Sequence, residues 1–581
     1  MNHGFTQDSS ASATSLLSDN DKRGSTMSRQ SQIAAKYSLP PAPQSWGLPL
    51  TMDHIEADDG LHNPDPSRDR KNDGGGHIFT ARGLANLGCI ASLVLAIVML
   101  FAGYPVISFF TKSEPTTQGG FNLGGINATG QIPTFVRRVG LIDPDTPDSA
   151  RTRTSYTPGR EELFDLVFSD EFNEEGRSFY PGDDPYWEAV DLHYWGTNDL
   201  EWYDPSGATT SAGALQLTLS RADPISNHNL SYKSGMVQTW NKFCFTGGIL
   251  EASIRLPGNT NAAGLWPAVW AMGNLGRAGY GGSLDGMWPY SYDSCDVGTL
   301  ANQTDPGTWP DIESPELTYV TDPETLERHS LSFLPGQKLS ACTCPGESHP
   351  GPMRTDGTYV GRAAPEIDVI EALVENGVGH VSLSAQWAPY NAAYNWTFSE
   401  TLIYDEETVR LNEYRGGVYQ QTTSALAVTN QNCYEEGGTG CFAVYAFEYR
   451  AGFDDAYITW VNDDRPAWTL LSAATGRDPR TEISERPIPV EPMYIIANLG
   501  FSLNFGPIDF EILTLPATMS IDYIRVYQPR GARNVGCDPI EYPTAEYIRT
   551  YNRAYTNPNI TTWELMGEPW PRNREALGGV C

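Results

Sequence analysis

Short β-prone runs recur through residues 159–530, where Gly, Pro and Asn residues separate them. They include LFDLVFSDEF, ALQLTLSRA, GGILEASIRL, GHVSLSAQWA, CFAVYAFEYR, YITWVND and MSIDYIRVYQ. Frequent short strands between turn residues are typical of β-sandwiches, and long helical periodicity is scarce in this part of the chain. The pattern therefore predicts an all-β protein whose compact part is an antiparallel β-sandwich over 159–530.

The longest apolar run lies before this region. No charged residue occurs between Arg82 and Lys112, and LANLGCIASLVLAIVMLFAGYPVISFF fills the gap. A membrane helix needs about 20 apolar residues, so the run predicts one transmembrane helix over 83–111. It begins about eighty residues into the chain after a long polar segment, so we expect a membrane anchor rather than a cleaved secretory signal.

Charge on either side of this predicted helix indicates its orientation. Basic residues precede it closely at Arg68, Arg70, Lys71 and Arg82, whereas Lys112 is the nearby basic residue that follows. Positive residues flank membrane helices on the cytoplasmic side. We therefore expect a single-pass type II protein of the secretory pathway, with its C-terminal domain in the lumen or outside the cell.

The remaining segments differ in composition from the sandwich. Residues 1–82 are rich in Ser, Asp, Asn, Gly and Pro, which predicts a disordered cytoplasmic tail available to trafficking partners. Residues 112–158 have the composition of a lumenal stem. Residues 531–581 follow the last predicted strand, and we expect them to form an extension packed on the sandwich.

Sequons and cysteines agree with this orientation. The N-x-S/T sequons all follow the predicted helix, at Asn127, Asn229, Asn302, Asn395 and Asn559. Eight of the nine cysteines also follow it, an even number suited to disulfides in an oxidising lumen, although buried free thiols are the alternative. CYEEGGTGC predicts a hairpin closed by Cys433 and Cys441, and Cys537 with Cys581 is one of many further pairings. Because no CxxC pair occurs, zinc is not expected.

Charge narrows the range of partners. The formal net charge is −33 and the isoelectric point is about 4.5, so nucleic acid and anionic membrane surfaces would be repelled. The chain also contains 15 Trp, 29 Tyr and 21 Phe residues, a content common in β-rich proteins that handle carbohydrates. A neutral glycan therefore suits the protein better than a charged partner, and we expect neither a cofactor nor a metal.

One stretch concentrates acidic residues in an apolar run. PEIDVIEALVE (365–375) contains Glu366, Asp368 and Glu371. In a regular strand the first two acids share a face but the third does not. A β-bulge at Val369 or Ile370 would bring all three to one face. The alternatives are a helix start with a solvated acidic side and an acidic patch on a structural strand, since most carboxylates are simply solvated.

Three acids on one face suit retaining glycoside hydrolysis. One carboxylate attacks the anomeric carbon and a second, roughly 5 to 5.5 Å away, protonates the leaving oxygen. A third acid between them can hold a proton, because close carboxylates raise each other's pKa. The Gly- and Pro-rich stretch of 276–362 ends just before the acids, and we expect it to form one wall of the site.

The motif and its flanking blocks resemble a known family. E-x-D-x-x-E is similar to the bulged signature of glycoside hydrolase family 16, the laminarinase type, and LVFSDEFN, GLWPAVWAMGNLGR and SIDYIRVYQ follow in that family's order. MWPYSYDSCDVGT, LPGQKLSACTCPG and EPMYIIANLGFSLNF further resemble the fungal β-glucan synthesis-associated membrane proteins, required for cell-wall β-1,6-glucan. This resemblance covers 160–581 and implies a jelly-roll sandwich with a concave glycan cleft.

The resemblance implies roles for individual residues. Glu366 would be the nucleophile, Asp368 its assisting acid and Glu371 the general acid/base. Trp266 and Trp270 match positions near the family's cleft, with core packing as the alternative for Trp270. Either His380 or Gln386 would occupy the position of a site histidine common in the family's hydrolases, and Gln386 there would mark a departure from them.

The expected function follows from these roles. The first interpretation is a retaining glycosidase or transglycosylase that acts on β-glucan in the lumen, with transfer exceeding hydrolysis. The second is a non-catalytic, glucan-binding assembly factor built on the same sandwich. The third is a folding factor for secreted wall proteins, with client glycans as its ligands.

Overall fold

The computed structural model describes residues 81–111, 140–301, 319–321, 328–330, 334–389, 396–417, 419–479 and 482–581. The first of these ranges is helical and forms a unit of its own. It consists of α1 (Ala81–Val98), a π-helical turn (Met99–Gly103) and α2 (Tyr104–Thr111). The 21 residues of Leu87–Ile107 are long and apolar enough to cross a membrane, which agrees with the predicted span.

The second unit is mostly β-structure. Its strands are β1 (Thr152–Thr154), β2 (Leu163–Asp170), β3 (Glu188–Ala189), β4 (Leu192–His193), β5 (Glu201–Tyr203), β6 (Ala208–Ser211), β7 (Ala214–Arg221), β8 (Tyr232–Ser234), β9 (Met236–Gln238), β10 (Gly248–Arg255), β11 (Trp266–Gly273), β12 (Tyr319–Thr321), β13 (Arg328–Ser330), β14 (Glu366–Glu375), β15 (Val378–Trp387), β16 (Thr401–Ile403), β17 (Val409–Leu411), β18 (Gln421–Val428), β19 (Ala443–Arg450), β20 (Tyr457–Asn462), β21 (Arg465–Leu471), β22 (Met493–Gly500) and β23 (Ala517–Pro529).

Short helices connect some of these strands. They are α3 (Gly281–Leu284), α4 (Ala545–Thr550) and α5 (Asn552–Thr556), with 3₁₀ turns at Asp148–Ala150, Trp195–Thr197, Pro205–Gly207, Val297–Thr299, Phe398–Glu400, Ser472–Thr475, Glu564–Met566 and Glu575–Leu577. All lie outside the two main sheets. Within the described residues of this unit, the predicted scarcity of helix is confirmed.

Two large sheets build the sandwich. Sheet 1 follows the order β16-β21-β20-β19-β10-β23-β7-β8-β5-β4, with β2 also paired to β23, β1 to β2 and β6 to β7. Sheet 2 follows the order β17-β18-β15-β14-β11-β22-β9-β3, and β12 with β13 forms a separate hairpin. Among the described strands, β5 with β8 is the parallel pair and the other pairings are antiparallel. The predicted antiparallel sandwich is confirmed.

Alternating apolar residues of both sheets form the core. Leu250 and Ile254 on β10 and Leu383 on β15 have no exposed surface and belong to one continuous cluster of buried side chains. Because side chains alternate across a strand, the residues between them point to the outer faces of the sheets. On β15 those outward residues include Ser384, which lies beside the acidic motif.

The sandwich begins earlier than the predicted boundary at residue 159. Strand β1 pairs with β2, and the backbone N–H of Tyr156 and the hydroxyl of Thr157 both donate hydrogen bonds to the buried carboxylate of Glu448. The range 140–158 is therefore part of the fold rather than stem. The turn-rich composition of this range gave no sign of the short strand β1, which is stabilised by its pairing with β2.

The C-terminal extension packs on the outer face of sheet 2, as expected for 531–581. Tyr547, Tyr555 and Trp563 belong to a second buried cluster that also contains Trp270 and Ile496 from the sheet. The extension therefore covers part of the face that carries the acids. A sequence pattern cannot show this, because the contacts join residues almost three hundred positions apart.

The eight cysteines of the second unit are all paired. The bridges are Cys244–Cys537, Cys295–Cys342, Cys344–Cys581 and Cys433–Cys441. The hairpin bridge is confirmed, but the pairing of Cys537 with Cys581 is wrong. Each of these two residues instead ties the extension to a distant part of the sandwich, a non-local pairing that spacing alone could not reveal.

Candidate active site

A β-bulge brings the three acids together. Asp368 pairs with Ser384 and Glu371 with Ser382, so three steps on β14 match two on β15. The extra residue lies at Val369–Ile370, where the predicted bulge was expected, and both of these side chains are buried in the core. The carboxylates consequently share the outer face of sheet 2.

Two core tryptophans support the bulged strand from below. Trp460 donates its indole N–H to the backbone carbonyl of Asp368 at 2.8 Å, and Trp468 donates to that of Leu383 at 3.2 Å. Their rings stack with centroids 4.4 Å apart. Because a bulge interrupts the regular ladder, such donors satisfy carbonyls that would otherwise be costly to bury.

Asp368 is the centre of the acidic cluster. Its Oδ2 accepts hydrogen bonds from the Ser384 hydroxyl at 2.8 Å and from Gln386 Nε2 at 3.0 Å. The same hydroxyl lies 3.1 Å from Oε2 of Glu371. A hydroxyl has one proton to donate, so one of these two carboxyls must itself be protonated for both contacts to be hydrogen bonds.

The pKa values of all three acids are raised. Burial, with the charge of Glu371 adding to it, raises the pKa of Glu366 to about 8. Burial and the charge of Asp368 raise the pKa of Glu371 to about 8. Burial raises the pKa of Asp368 well above its usual range, and its hydrogen bond to Glu366 adds to the rise. These shifts favour a proton on Asp368, from where it can be donated to Glu366.

Aromatic residues flank Glu366 on one side of the cluster. Trp288 donates its indole N–H to Oε2 of Glu366. Tyr194 is close enough for the charge of Glu366 to raise its pKa, although burial is the larger cause. Both residues lie on loops outside sheet 2. Together they form a wall beside the carboxylate. Trp288 comes from the stretch 276–362, which was expected to contribute such a wall.

Other aromatic residues flank Glu371. Trp266 donates its indole N–H to Oε1 of Glu371 at 3.2 Å and stacks on Phe505, with ring centroids 4.3 Å apart. Tyr414 is half exposed, and after burial the charge of Glu371 is the second cause that raises its pKa. Flat, half-exposed rings beside an acid are suited to sugar faces.

The two predicted tryptophans have different surroundings. Trp266 contacts Glu371 directly, whereas Trp270 is only 8% exposed and packs in the second buried cluster. The Trp270 indole donates to Oδ1 of Asn498 at 2.8 Å, and the Asn498 amide donates to the Tyr203 hydroxyl at 3.0 Å. This arrangement favours the packing interpretation of Trp270.

Gln386, not His380, lies beside the acids. Gln386 pairs with Glu366 across the two strands, while His380 pairs with Leu373 at the far end. The His380 ring contacts the carbonyl of Val378 instead. The residue next to Asp368 is therefore an amide, which does not titrate.

The sequence interpretation missed several site residues. Ser384 stands two positions before Gln386 in GHVSLSAQWA, and the period of two within a strand could have identified it. Trp288 lies in MWPYSYDSCDVGT, but its distance of 78 residues from Glu366 hid the contact. Tyr194 and Tyr414 lie in loops, for which no periodic signal exists.

The predicted sequons lie partly outside the described residues. Asn229 and Asn559 are exposed on loops of the second unit. Asn127, Asn302 and Asn395 fall outside the described residues. Glycosylation of all five remains a prediction.

Comparison with known proteins identifies the family. Residues 48–581 match the family described as "Beta-glucan synthesis-associated protein SKN1/KRE6/Sbg1". The chain belongs to this family. It is 43% identical to the β-glucan synthesis-associated protein KRE6 of Saccharomyces cerevisiae over 545 residues, which is 92% of this chain and 70% of that protein. It is 40% identical to SKN1 of Candida albicans over 91% of this chain and 67% of that one.

Two solved structures illustrate what this SKN1/KRE6/Sbg1 chain is similar to. LamAcat from Zobellia galactanivorans shares 18% identity with a TM-score of 0.34, over 62% of this chain and 97% of its own. The catalytic domain of an endo-1,3-β-glucanase (laminarinase) from Thermotoga petrophila shares 18% identity with a TM-score of 0.34, over 64% and 100%.

Proposed function

We propose that this chain is a membrane-anchored enzyme of fungal cell-wall β-1,6-glucan synthesis that transfers β-glucan segments with retention of configuration. The observation that carries the proposal is the bulged strand, which presents Glu366, Asp368 and Glu371 on one face. Its family is described as β-glucan synthesis-associated. An uncharged polymer also suits a chain with a formal net charge of −33.

The first half of the reaction would form a glycosyl ester. The Glu366 carboxylate attacks the anomeric carbon of a β-glucan, and the bond from that carbon to the leaving oxygen breaks. Glu371 gives its proton to the leaving oxygen. The products are a shortened glucan and a glycosyl group bound to Glu366.

The second half transfers that group. Glu371, now a carboxylate, takes the proton of an acceptor hydroxyl, whose oxygen attacks the anomeric carbon. The ester bond breaks, and Glu366 returns as a carboxylate. Acceptance of a sugar hydroxyl gives transfer, and acceptance of water gives hydrolysis. The rings of Trp266 and Tyr414 beside Glu371 support transfer, because they can hold an acceptor sugar.

The hydrogen bonds support this division of roles. Glu366 accepts from Trp288 and from Asp368, and both bonds favour its charged form. Glu371 accepts from Ser384 and from Trp266, and burial raises the pKa of Glu366 and of Glu371 alike to about 8. The donor that sets Glu366 apart is the carboxyl of Asp368, whose proton favours the ionised nucleophile.

A second candidate function is glucan binding without turnover. The observation that favours it is Gln386, which donates to Asp368 where many hydrolases of the resembling family place a histidine. An amide cannot exchange protons with the cluster as a histidine can. The same face and aromatic rings would then hold a glucan chain during assembly.

One experiment separates the two candidates. The full-length protein in detergent is mixed with β-1,3- and β-1,6-gluco-oligosaccharides and a labelled acceptor, and the products are measured by mass spectrometry. We expect longer labelled products from the native protein and none from Glu366→Gln. If both proteins bind the oligosaccharides but neither makes a new product between about pH 4 and 8, the binding function is correct.

We also propose that the sandwich lies in the lumen or outside the cell. Leu87–Ile107 provides the span, and basic residues precede it more than they follow it. Disulfides such as Cys344–Cys581 persist in oxidising compartments. Protease treatment of sealed microsomes is expected to spare the sandwich and to remove an epitope tag placed within residues 1–82.

A further inference from the structure

Trp288 lies in the segment of residues 281–290, which begins with helix α3 and which we call the site loop. Its indole donates to Oε2 of Glu366. Met287, the residue before Trp288, is bound to the segment that leads into β14. The backbone N–H of Ala364 in that segment donates to the carbonyl of Met287 at 3.0 Å. The site loop therefore contacts both the acid and the chain just before it.

The other side of the site loop contacts the C-terminal extension. We define residues 537–581 as the clasp. The backbone N–H of Gly282 donates to the carbonyl of Ile560 at 2.7 Å. The backbone N–H of Trp563 donates to Oδ2 of Asp285 at 2.7 Å. Both contacts are short and lie within six residues of Trp288.

The centre of the site loop is enclosed by Trp570 and Lys338. Gly286 has a φ of +72°, and a Cβ added there would lie 2.5 Å from the Trp570 ring. Its carbonyl accepts the backbone N–H of Lys338 at 2.8 Å. The Lys338 ammonium lies 3.6 Å from the centroid of Trp563, a cation–π contact in a buried setting.

Covalent bonds fix both ends of the clasp. Cys537 is bridged to Cys244 next to the sheet, and Cys581 is bridged to Cys344. Beside the second bridge, the backbone N–H of Cys344 donates to the carbonyl of Arg572 at 2.9 Å. The clasp is therefore closed at its first and last residues, with the site loop held between.

We propose that the clasp is a positioning element for Glu366. Trp563 and Trp570 hold the site loop in the place where Trp288 can donate to the carboxylate, and loosening the clasp withdraws that donor. Trp563 and Trp570 act through Trp288 and are positioning residues, since the contacts described for them are with the site loop and Lys338 and not with Glu366. The effect on turnover rests on the proposed function, whereas the coupling of clasp to acid does not.

The coupling matters because Glu366 has few hydrogen-bond donors. Its carboxylate accepts from Trp288 and from Asp368. Asp368 belongs to sheet 2, whereas Trp288 belongs to the site loop. A hydrogen bond to a charged group fixes the carboxylate and favours ionisation. Loss of the Trp288 donor is therefore expected to lower kcat about tenfold or more.

Fluorine NMR tests the coupling without requiring turnover. The full-length protein in detergent is labelled with 5-fluorotryptophan, and the Trp288 resonance is the one missing from Trp288→Phe. We expect this resonance to shift with pH as Glu366 ionises. In Trp570→Ala it should move toward the position of a free indole, and its midpoint should rise to higher pH.

Matched variants separate positioning from general damage. Trp202→Ala removes a tryptophan that contacts His228 and Asp191, and it should leave the Trp288 resonance unchanged. Trp570→Phe keeps a ring over Gly286 and should restore most of the native signal. If Trp570→Ala does not fold, Cys581→Ser opens the end of the clasp while keeping every tryptophan.

The outcomes are distinct. A shifted Trp288 resonance, with kcat lowered about tenfold and KM within about twofold, supports the proposal. An unchanged resonance in folded Trp570→Ala and Cys581→Ser overturns it. A shifted resonance in a protein whose native form transfers no glucan supports the coupling and contradicts the proposed enzyme function.

Discussion

The indole N–H of Trp460 donates to the backbone carbonyl of Asp368 at 2.8 Å, directly below the bulge that aligns the acids. Trp460 belongs to sheet 1 and Asp368 to sheet 2, so this bond joins the two layers of the sandwich. A bulge costs regular ladder hydrogen bonds, and the core tryptophan compensates for one of them. The arrangement of the acids on the outer face thus depends on a residue in the core.

Trp460→Phe should therefore affect both stability and activity. Loss of a buried hydrogen bond costs about 1–3 kcal/mol, and the smaller ring adds a cavity. Trp187 is equally buried in the same core and donates to Asp170, away from the acids. Thermal unfolding should show a similar loss of stability in Trp187→Phe, but only Trp460→Phe should lower kcat. Equal kcat values in the two folded variants would contradict the link between bulge and site.

Gln386→Leu should weaken catalysis through Asp368. The Gln386 amide donates to Oδ2 of Asp368 at 3.0 Å, so its loss leaves the carboxyl that donates to Glu366 less firmly oriented. We expect a fall in kcat of about tenfold with little change in stability. Thr422 donates to Oε1 of Gln386 and offers the control, because Thr422→Val leaves the amide donor in place. Steady-state kinetics in which Thr422→Val is the more damaged variant would contradict this role.

Glu371→Gln should stabilise the protein at high pH and not at low pH. Burial raises the pKa of Glu371 from its ordinary value of 4.5 to about 8. Folding therefore takes up a proton between these values, and native stability falls as the pH rises through that window. The amide has no such dependence and also removes the charge that raises the pKa of Glu366.

We expect the stability gain of Glu371→Gln to be on the order of 2 kcal/mol at pH 8 and to vanish near pH 4.5. Thermal unfolding of both proteins across this range measures it. Glu375→Gln is the matched control on the same strand, because its carboxylate is exposed and the change should stay within about 0.5 kcal/mol. A gain that is the same at both pH values would show that burial of charge is not the cause.

Arg362→Ala should destabilise the region around the acids. Arg362 is fully buried and forms a bidentate pair with Glu491, at 2.7 and 2.8 Å, and it also donates to the carbonyls of Gly351 and Pro543. Removing one partner of a buried pair costs about 3–5 kcal/mol. The double variant Arg362→Met with Glu491→Leu should recover part of this loss. Chemical unfolding measures each variant, and additive losses would contradict the pairing.

The sequence predicted the local features of the site better than its distant contacts. Because of their spacing, Glu366, Asp368 and Glu371 can share one face of a strand only if the strand contains a bulge. The recurring short β-prone runs indicate a sandwich. These inferences concern residues close together in the chain, where periodicity carries information.

Contacts between distant segments could not be predicted in the same way. The bond from Trp288 to Glu366, the bridge from Cys344 to Cys581 and the packing of Trp563 on sheet 2 join parts of the chain that only the fold brings together. The role of His380 or Gln386 stayed open for the same reason. The pairing register of β14 with β15 determines which of the two residues lies beside the acids. The sequence of one strand does not show how it is registered with its partner.

Trapping the glycosyl group on Glu366 tests the central claim most directly. Glu371→Gln is mixed with a β-glucosyl or β-laminaribiosyl fluoride, whose leaving group needs no proton, so an ester can form although its release is slowed. Peptide mapping by mass spectrometry should find the added sugar mass on Glu366 and none in the double variant that also carries Glu366→Gln. An unmodified Glu366 in a protein that binds the sugar would contradict a retaining mechanism through this residue.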